Sequence, residues 1–254
     1  MRRGTVFGCC ALALGCRPES APATPAPAAA REDPGGPDNE WKELPFLTRH
    51  SRMTFTVLPV MGRRFQSKGA PTEYRSPDNA ALHRRAEALL ANDHAVKHGS
   101  PGGLQHTTWM PLLHLRPQAD VPVVELALPF VTDRELFELG RTLAPLRDEG
   151  VMLLCSGSLT HNLATLGQGD GVAPWAQQFD EWVLRTIDDG DYDALIDWRR
   201  AAPHAFIAHP DDGGHYDVLL IGLGAATATA KPVARYPVSG FEMGTLAKRG
   251  IELR

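Results

Sequence analysis

Apolar positions along this chain follow two spacings, one of strand length and one of helical period. Residues 121–128 (VPVVELAL) and 151–155 (VMLLC) are short, nearly continuous apolar runs, as in strands covered on both faces. Between them lies 133–148 (DRELFELGRTLAPLRD), where Leu136, Leu139, Leu143 and Leu146 recur at helical spacing. Thr132 or Asp133 caps its start and Gly150 marks its end. Strand, helix and strand at this spacing predict a βαβ-like unit. A further helix is predicted over 175–189, burying Phe179, Trp182, Val183 and Ile187. Upstream, Asp78-Asn79 caps a helix running to about Ala91, with Leu82, Ala86, Leu89 and Leu90 on its apolar face. Residues 53–60 (MTFTVLPV) alternate as a strand, which Pro59 either weakens or places at an edge. Residues 218–223 (VLLIGL) read as a buried strand or a short buried helix, and 92–103 as a polar loop. The fold class expected is α/β, a single mixed or parallel central sheet flanked by helices.

The N-terminal part is patterned differently. Arg2 and Arg3 precede an apolar stretch, 5–15, that ends at Cys16, and an Ala/Pro run, 21–30, follows. A charged region, a short apolar region, a lipidated Cys and a tether follow one another in this order in bacterial lipoprotein signals. Ala13 departs from that pattern, standing where Leu is usual; the other reading is a low-complexity leader from a misread start. Under both readings 19–39 lacks large apolar residues and is expected to be disordered. Residues 1–40 are therefore assigned to a leader and linker, and 41–254 to the α/β domain, composition turning globular at Trp41.

Charge and composition narrow the function classes. Lys and Arg number 26 against 30 Asp and Glu, a net charge of −4, which excludes a strongly basic nucleic-acid binder and argues against docking on anionic lipid. No apolar run reaches the ~18 residues of a membrane span. Cysteines stand at 9, 10, 16 and 155, so the body of the chain has one, which excludes a disulfide framework and a Cys-rich zinc module there. The 10 histidines are what remains to pursue.

Ser156-Gly157-Ser158-Leu159-Thr160-His161-Asn162 directly follows the 151–155 strand. Open α/β sheets gather ligands at the carboxyl ends of their strands, so His161 and Asn162 are placed as ligand or acid/base. A polar loop whose His bonds only the backbone is the plainer alternative. His204, His209 and His215 form a second cluster, in PHAFIAHPDDGGH, whose imidazoles suit zinc or iron. Its spacing is neither HExxH nor a zinc finger, and a His-bearing surface loop is its alternative. His106, in GLQHTTW, reads by itself as a structural histidine. There is no GxGxxG, no P-loop and no GxSxG elbow, and Cys155 reads as a buried strand residue before a nucleophile.

Taken together, these segments resemble the DODA-type extradiol aromatic ring-opening dioxygenases, the class III or LigB-like superfamily. The resemblance rests on 139–163 (LGRTLAPLRDEGVMLLCSGSLTHNL), Pro174-Trp175, Phe179-Asp180-Glu181-Trp182, Ala208-His209-Pro210 through His215, Gly224-Ala225-Ala226 and Gly240-Phe241-Glu242-Met243-Gly244. Upstream it includes 103–113 (GLQHTTWMPLL) and Tyr74-Arg75-Ser76-Pro77, so it covers about 74–254. It implies a mixed α/β domain binding one divalent metal per chain, Fe(II) or Zn(II), and cleaving a DOPA-like catechol beside its diol with O₂. It places His161 and His215 at metal positions, and His106 as the acid/base that moves protons on and off the diol. His161 and His106 are the catalytic candidates.

The chain also departs from the family. A histidine in H-G-[SA]-P after the first strand has no counterpart there; His98-Gly99-Ser100-Pro101 falls just before the GLQH block and is read as coincidence. His50, in LTRHS, takes the S-x-H-W position as a third metal candidate, with Ser51 in place of Trp. Gln105 replaces an Asp, Gly214 replaces an acidic residue, and the His209–His215 loop is one residue longer. Two functions are weighed. One is an extradiol dioxygenase acting on a small aromatic diol and O₂, cytoplasmic by resemblance and without a nucleic-acid partner. The other is a catalytically impaired or truncated member, an envelope-tethered binding protein lipidated at Cys16.

Overall fold

The computed structural model describes residues 9–14, 53–56, 80–91, 106–127, 131–167, 169, 171–210 and 214–254. The first elements are β1 (Cys9–Leu14), β2 (Met53–Thr56), α1 (Ala80–Leu90), α2 (His106–Leu115), β3 (Val123–Ala127), α3 (Asp133–Leu143), α4 (Pro145–Asp148) and β4 (Val151–Ser156). A 3-10 turn, Leu163–Thr165, leads to α5 (Pro174–Asp189), α6 (Tyr192–Ile196), α7 (Trp198–Ala201), α8 (Ala205–Ala208) and α9 (Gly214–Ala226). The chain continues through β5 (Ala234–Val238), β6 (Phe241–Glu242), β7 (Leu246–Ala247) and β8 (Gly250–Leu253).

Among the described residues the strands form a six-stranded sheet, ordered β3-β1-β4-β2-β8-β5, and a separate β6-β7 hairpin. β2 runs parallel to β4, whereas β1 is antiparallel to both β3 and β4, and β8 to both β2 and β5. The sheet is thus mixed, as expected. Of the stretch assigned to a leader, Cys9–Leu14 forms a strand, with Cys10 opposite Leu126 on one side and Cys155 on the other. Its apolar sequence, CCALAL, has the length and character of an inner strand. The rest of 1–40 lies outside the described residues. β3 and β4 therefore run parallel with α3 between them in the chain, the predicted βαβ unit, and β1 is slotted into its gap.

Continuous apolarity in β4 is explained by cover on both faces. Val151, Leu153 and Cys155 join the main core with residues of α3, α5 and α9, while Leu154 packs with Leu112 of α2 and with Val121 and Val123. That alternation is the strand period of two. β2, Met53–Thr56, lies inside the sheet between β4 and β8. The edge placement is thereby corrected for the described part of the strand; Pro59 lies outside the described residues.

The predicted 133–148 helix is two helices. Thr132 starts it with a capping box, its hydroxyl accepting from the Glu135 N–H (3.3 Å) while the Glu135 carboxylate accepts from the Thr132 N–H (2.7 Å). The Thr132 N–H and, after it, the Thr132 hydroxyl both donate to the Glu135 carboxylate and hold its pKa below the ordinary value. Pro145, lacking an N–H, ends the first ladder and begins α4, and Gly150 (φ 83°) closes it. The ambiguous 218–223 run lies within α9, and the helix's Gly214, Tyr216 and 218–226 are buried. A helix apolar on all sides has no period to read. Among the described residues no helix is long and apolar enough to cross a membrane.

α3 and α9 meet backbone to backbone. A Cβ on Gly224 would land on the carbonyl oxygen of Phe137, and one on Gly140 on that of Ile221. Arg147 then donates to the carbonyls of Ala225 (3.0 Å) and Leu253 (3.4 Å), capping the C-terminal end of α9 and tying it to β8. The Arg249 guanidinium grips buried Asp180 through two hydrogen bonds and so ties the C-terminal strands to α5. Gly224→Val is expected to lower stability by at least ~1–3 kcal/mol, because the backbone of α3 must give way. Urea unfolding beside exposed Glu138→Ala measures this; an unchanged midpoint would show that the crossing has room to spare.

Candidate functional site

The site grows from the carboxyl end of β4. Gly157 follows that strand, and a Cβ there would strike the carbonyl oxygen of His215 and sit 2.5 Å from Val218 Cγ2. The missing side chain lets the loop lie on the first turn of α9, where the Ser158 N–H donates to the His215 carbonyl (3.1 Å). Ser158 Oγ donates to the Thr160 carbonyl (2.8 Å), and Thr160 Oγ1 donates to the Thr245 carbonyl (2.7 Å) while accepting from the Ala247 N–H (2.9 Å). The His161 N–H donates to the Ala208 carbonyl (2.8 Å), and Asn162 Nδ2 donates to the Ile207 carbonyl (2.7 Å). Asn162 Oδ1 accepts from the Ala164 N–H (3.1 Å) and so caps the 3-10 turn. A segment this buried keeps its polar groups satisfied through such contacts.

The outcome of this grip is a pair of histidines. The rings of His161 and His215 stack with centroids 3.6 Å apart and planes 24° from parallel. Both residues are half-buried, so the pair borders solvent. Two imidazolium cations at this separation would repel, so the stack suits neutral rings, which is also the metal-ligating form. Neutral imidazoles are a donor type that divalent cations take. Among the described residues no group of three or more His, Cys, Asp or Glu is placed to hold a metal.

The remaining candidates are distributed as follows. His106 is the first residue of α2. His50 and His98–Pro101 lie outside the described residues, as do 211–213. The second histidine cluster is divided by the fold. His204 has φ 57° and its Nε2 lies 2.6 Å from Gln178 Oε1 at the surface. His209 is 2% exposed, with Nε2 2.8 Å from the Leu159 carbonyl oxygen, and among that cluster His215 alone reaches His161. A carbonyl only accepts, so His209 Nε2 carries the proton of that bond.

Sequence reasoning singled out neither Gly157, Thr160 and Thr245 nor the role of His209. Gly157 stands just past a strand end, a signal that was legible. The other contacts join segments some 50 to 90 residues apart, and no local pattern marks them. The closing GFEMG block supplies β6 and the start of the β6-β7 turn, with φ of 49° at Met243 and 75° at Gly244. Carbonyls of these two residues accept from Gly167 (3.2 Å) and Ala173 (2.8 Å), so the hairpin fastens the loop that follows His161. Exposed Leu163, Val172, Phe206, Ile207 and Met243 all lie on segments tied to this loop.

Residues 66–241 match the family described as the catalytic LigB subunit of aromatic ring-opening dioxygenase, and the chain belongs to that family. It is 36% identical over 173 residues to a 4,5-DOPA dioxygenase extradiol of Beta vulgaris, a match covering 66% of this chain and 64% of that protein. It is 34% identical over 195 residues to the protein of the same name in Escherichia coli K12, covering 72% and 68%. The chain thus spans about two thirds of the length of these relatives. The crystal structure of an uncharacterized protein from Escherichia coli K12 superposes with a TM-score of 0.67 at 28% identity, covering 85% of this chain and 91% of the other. The fold class expected from sequence agrees with that likeness.

Gly157→Ala tests the geometry of the pair. The added methyl is expected to push the loop off α9 and move the ring-proton NMR signals of His161 and His215 away from their stacked positions. Signals that stay in place would show that the stack does not depend on that close approach.

Proposed function

We propose that this chain is an extradiol dioxygenase that opens a DOPA-like catechol beside its two hydroxyls, using O₂ and one Fe(II) or Zn(II) per chain. The stacked pair of His161 and His215 carries this reading. They are the two residues that the family resemblance assigned to the metal, and they approach from separate parts of the chain. His50 is the proposed third donor. When bound, the metal holds the diol and O₂ side by side and polarises them.

The protein's part is to hold and to move protons. The loop hydrogen bonds keep His161 beside His215, so the two imidazoles stay adjacent and turn their in-plane nitrogens toward the ion on binding. His106 is assigned to take a proton from the catechol hydroxyl and to return one as the ring opens. Exposed apolar side chains on the surrounding segments, Phe206 and Met243 among them, suit the flat face of an aromatic ring. Both atoms of O₂ enter the product, so no outside reductant is required. The partners assigned are the small aromatic diol and O₂, and the location assigned is the cytoplasm. A second reading, a member that keeps the fold without a working site, draws on the departures from the family pattern, the missing H-G-[SA]-P histidine first.

Untagged protein purified anaerobically with Fe(II) is expected to hold about one metal per chain and to consume O₂ when given a catechol. His161→Ala and His215→Ala are each expected to weaken metal binding by at least roughly 10- to 100-fold and to abolish O₂ uptake. His83→Ala, on the exposed side of α1, serves as the unaffected control. Full metal content and O₂ uptake in both site variants would refute the assignment. A wild-type protein that takes up no metal decides for the second reading.

A further inference from the structure

We propose that His209 is a positioning residue: its imidazole N–H fixes the Leu159 carbonyl and thereby sets where His161 lies against His215. As regards the metal, this role rests on the reading given above. The argument starts from burial. His209 closes α8, and its ring lies in an aromatic cage, 5.2 Å from the Trp198 ring, 5.8 Å from Phe179 and 6.0 Å from Tyr216. Phe179 and Trp198 also meet edge to face at 6.1 Å, so the cage walls brace one another. Tyr216 donates its hydroxyl to the Leu195 carbonyl (3.1 Å), and burial holds its pKa well above the ordinary phenol range, so it stays neutral. An imidazole in this setting has one use for its Nε2 proton, and that proton goes to Leu159.

The second step is the grip on the loop. Neighbouring Ala208 accepts the His161 N–H, so residues 208 and 209 hold the chain on both sides of Thr160, at the carbonyl of 159 and the amide of 161. Thr160 itself is pinned by Thr245 and Ala247. Leu159, Ser158 and Thr160 are fully buried, so no water replaces a lost partner without the loop moving. A buried carbonyl without its donor is costly enough to displace the segment that carries it. The residue displaced two positions on is His161. His209 itself is buried in the cage and bonded to the backbone, which separates it from the metal candidates it accompanies in sequence.

Two variants test this, each checked for folding by circular dichroism. His209→Phe fills the cage and removes the donor, whereas His209→Gln keeps an N–H able to reach the Leu159 carbonyl. The first readout needs no metal: the His161 and His215 ring-proton NMR signals, shifted by stacking and assigned from the single alanine variants. The second is Co(II) titration followed by visible absorption. In His209→Phe both ring signals are expected to leave their stacked positions, and Co(II) affinity to fall roughly 10- to 100-fold. In His209→Gln both are expected to stay near wild type. Unmoved ring signals in folded His209→Phe, or equal displacement in both variants, would overturn the proposal. If His209→Phe does not fold, the Gln variant decides, wild-type signals supporting the proposal and displaced signals overturning it. If the wild-type protein binds no Co(II), the metal reading fails by itself, and the ring signals still decide the role of His209.

Discussion

The architecture depends on how closely α9 lies against its neighbours. At Gly140 and Gly224 the backbones of α3 and α9 meet with no side chain between them, and at Gly157 the loop after β4 rests on the first turn of the same helix. These contacts put a largely buried helix between the βαβ unit and the C-terminal strands, where its Ala225 and the β8 residue Leu253 share the guanidinium of Arg147. They also put His215, the second residue of α9, where the loop from β4 brings His161. The fold and the candidate site therefore share one set of close approaches, and a change in either propagates to the other.

What surrounds the histidine pair is mostly backbone satisfaction. Thr160, Asn162, Ser158 and His209 spend their polar groups on carbonyls and amides of the loop and its neighbours. Such a network gives the loop a single conformation, since each buried group has its partner only there. The part that borders solvent is small: two half-buried imidazoles, with exposed apolar side chains on the segments tied to their loop. This suits a site whose substrate is aromatic and whose chemistry falls to a metal.

Much of this was legible in the chain, for identifiable reasons. The βαβ unit was readable because β3 and β4 are mostly apolar and α3 carries a capping box and a clean helical stripe. The break at Pro145 was missed because Leu146 continues that stripe past it. Residues 218–223 stayed ambiguous because apolarity on every side erases the period that separates helix from strand. β2 was weighed as an edge strand on account of Pro59, yet Met53–Thr56 lies between β4 and β8, a pairing that no local pattern announces. His161 and His215 were singled out together by the family resemblance, and the structure stacks their rings. The distinct fate of His209 was not legible, because it is decided by Phe179, Trp198 and Tyr216, which come from three helices.

The central claim, that the approach of α9 to β4 assembles a metal site from His161 and His215, meets its most direct test in crystals of the Fe(II)-loaded protein grown without oxygen. Anomalous diffraction at the iron edge locates the metal without reference to activity. The account expects one peak per chain, about 2.0–2.2 Å from a ring nitrogen of each histidine, as imidazole ligation of a divalent ion requires. A peak elsewhere, or two histidines stacked with no iron between their nitrogens in protein that carries iron in solution, would contradict it.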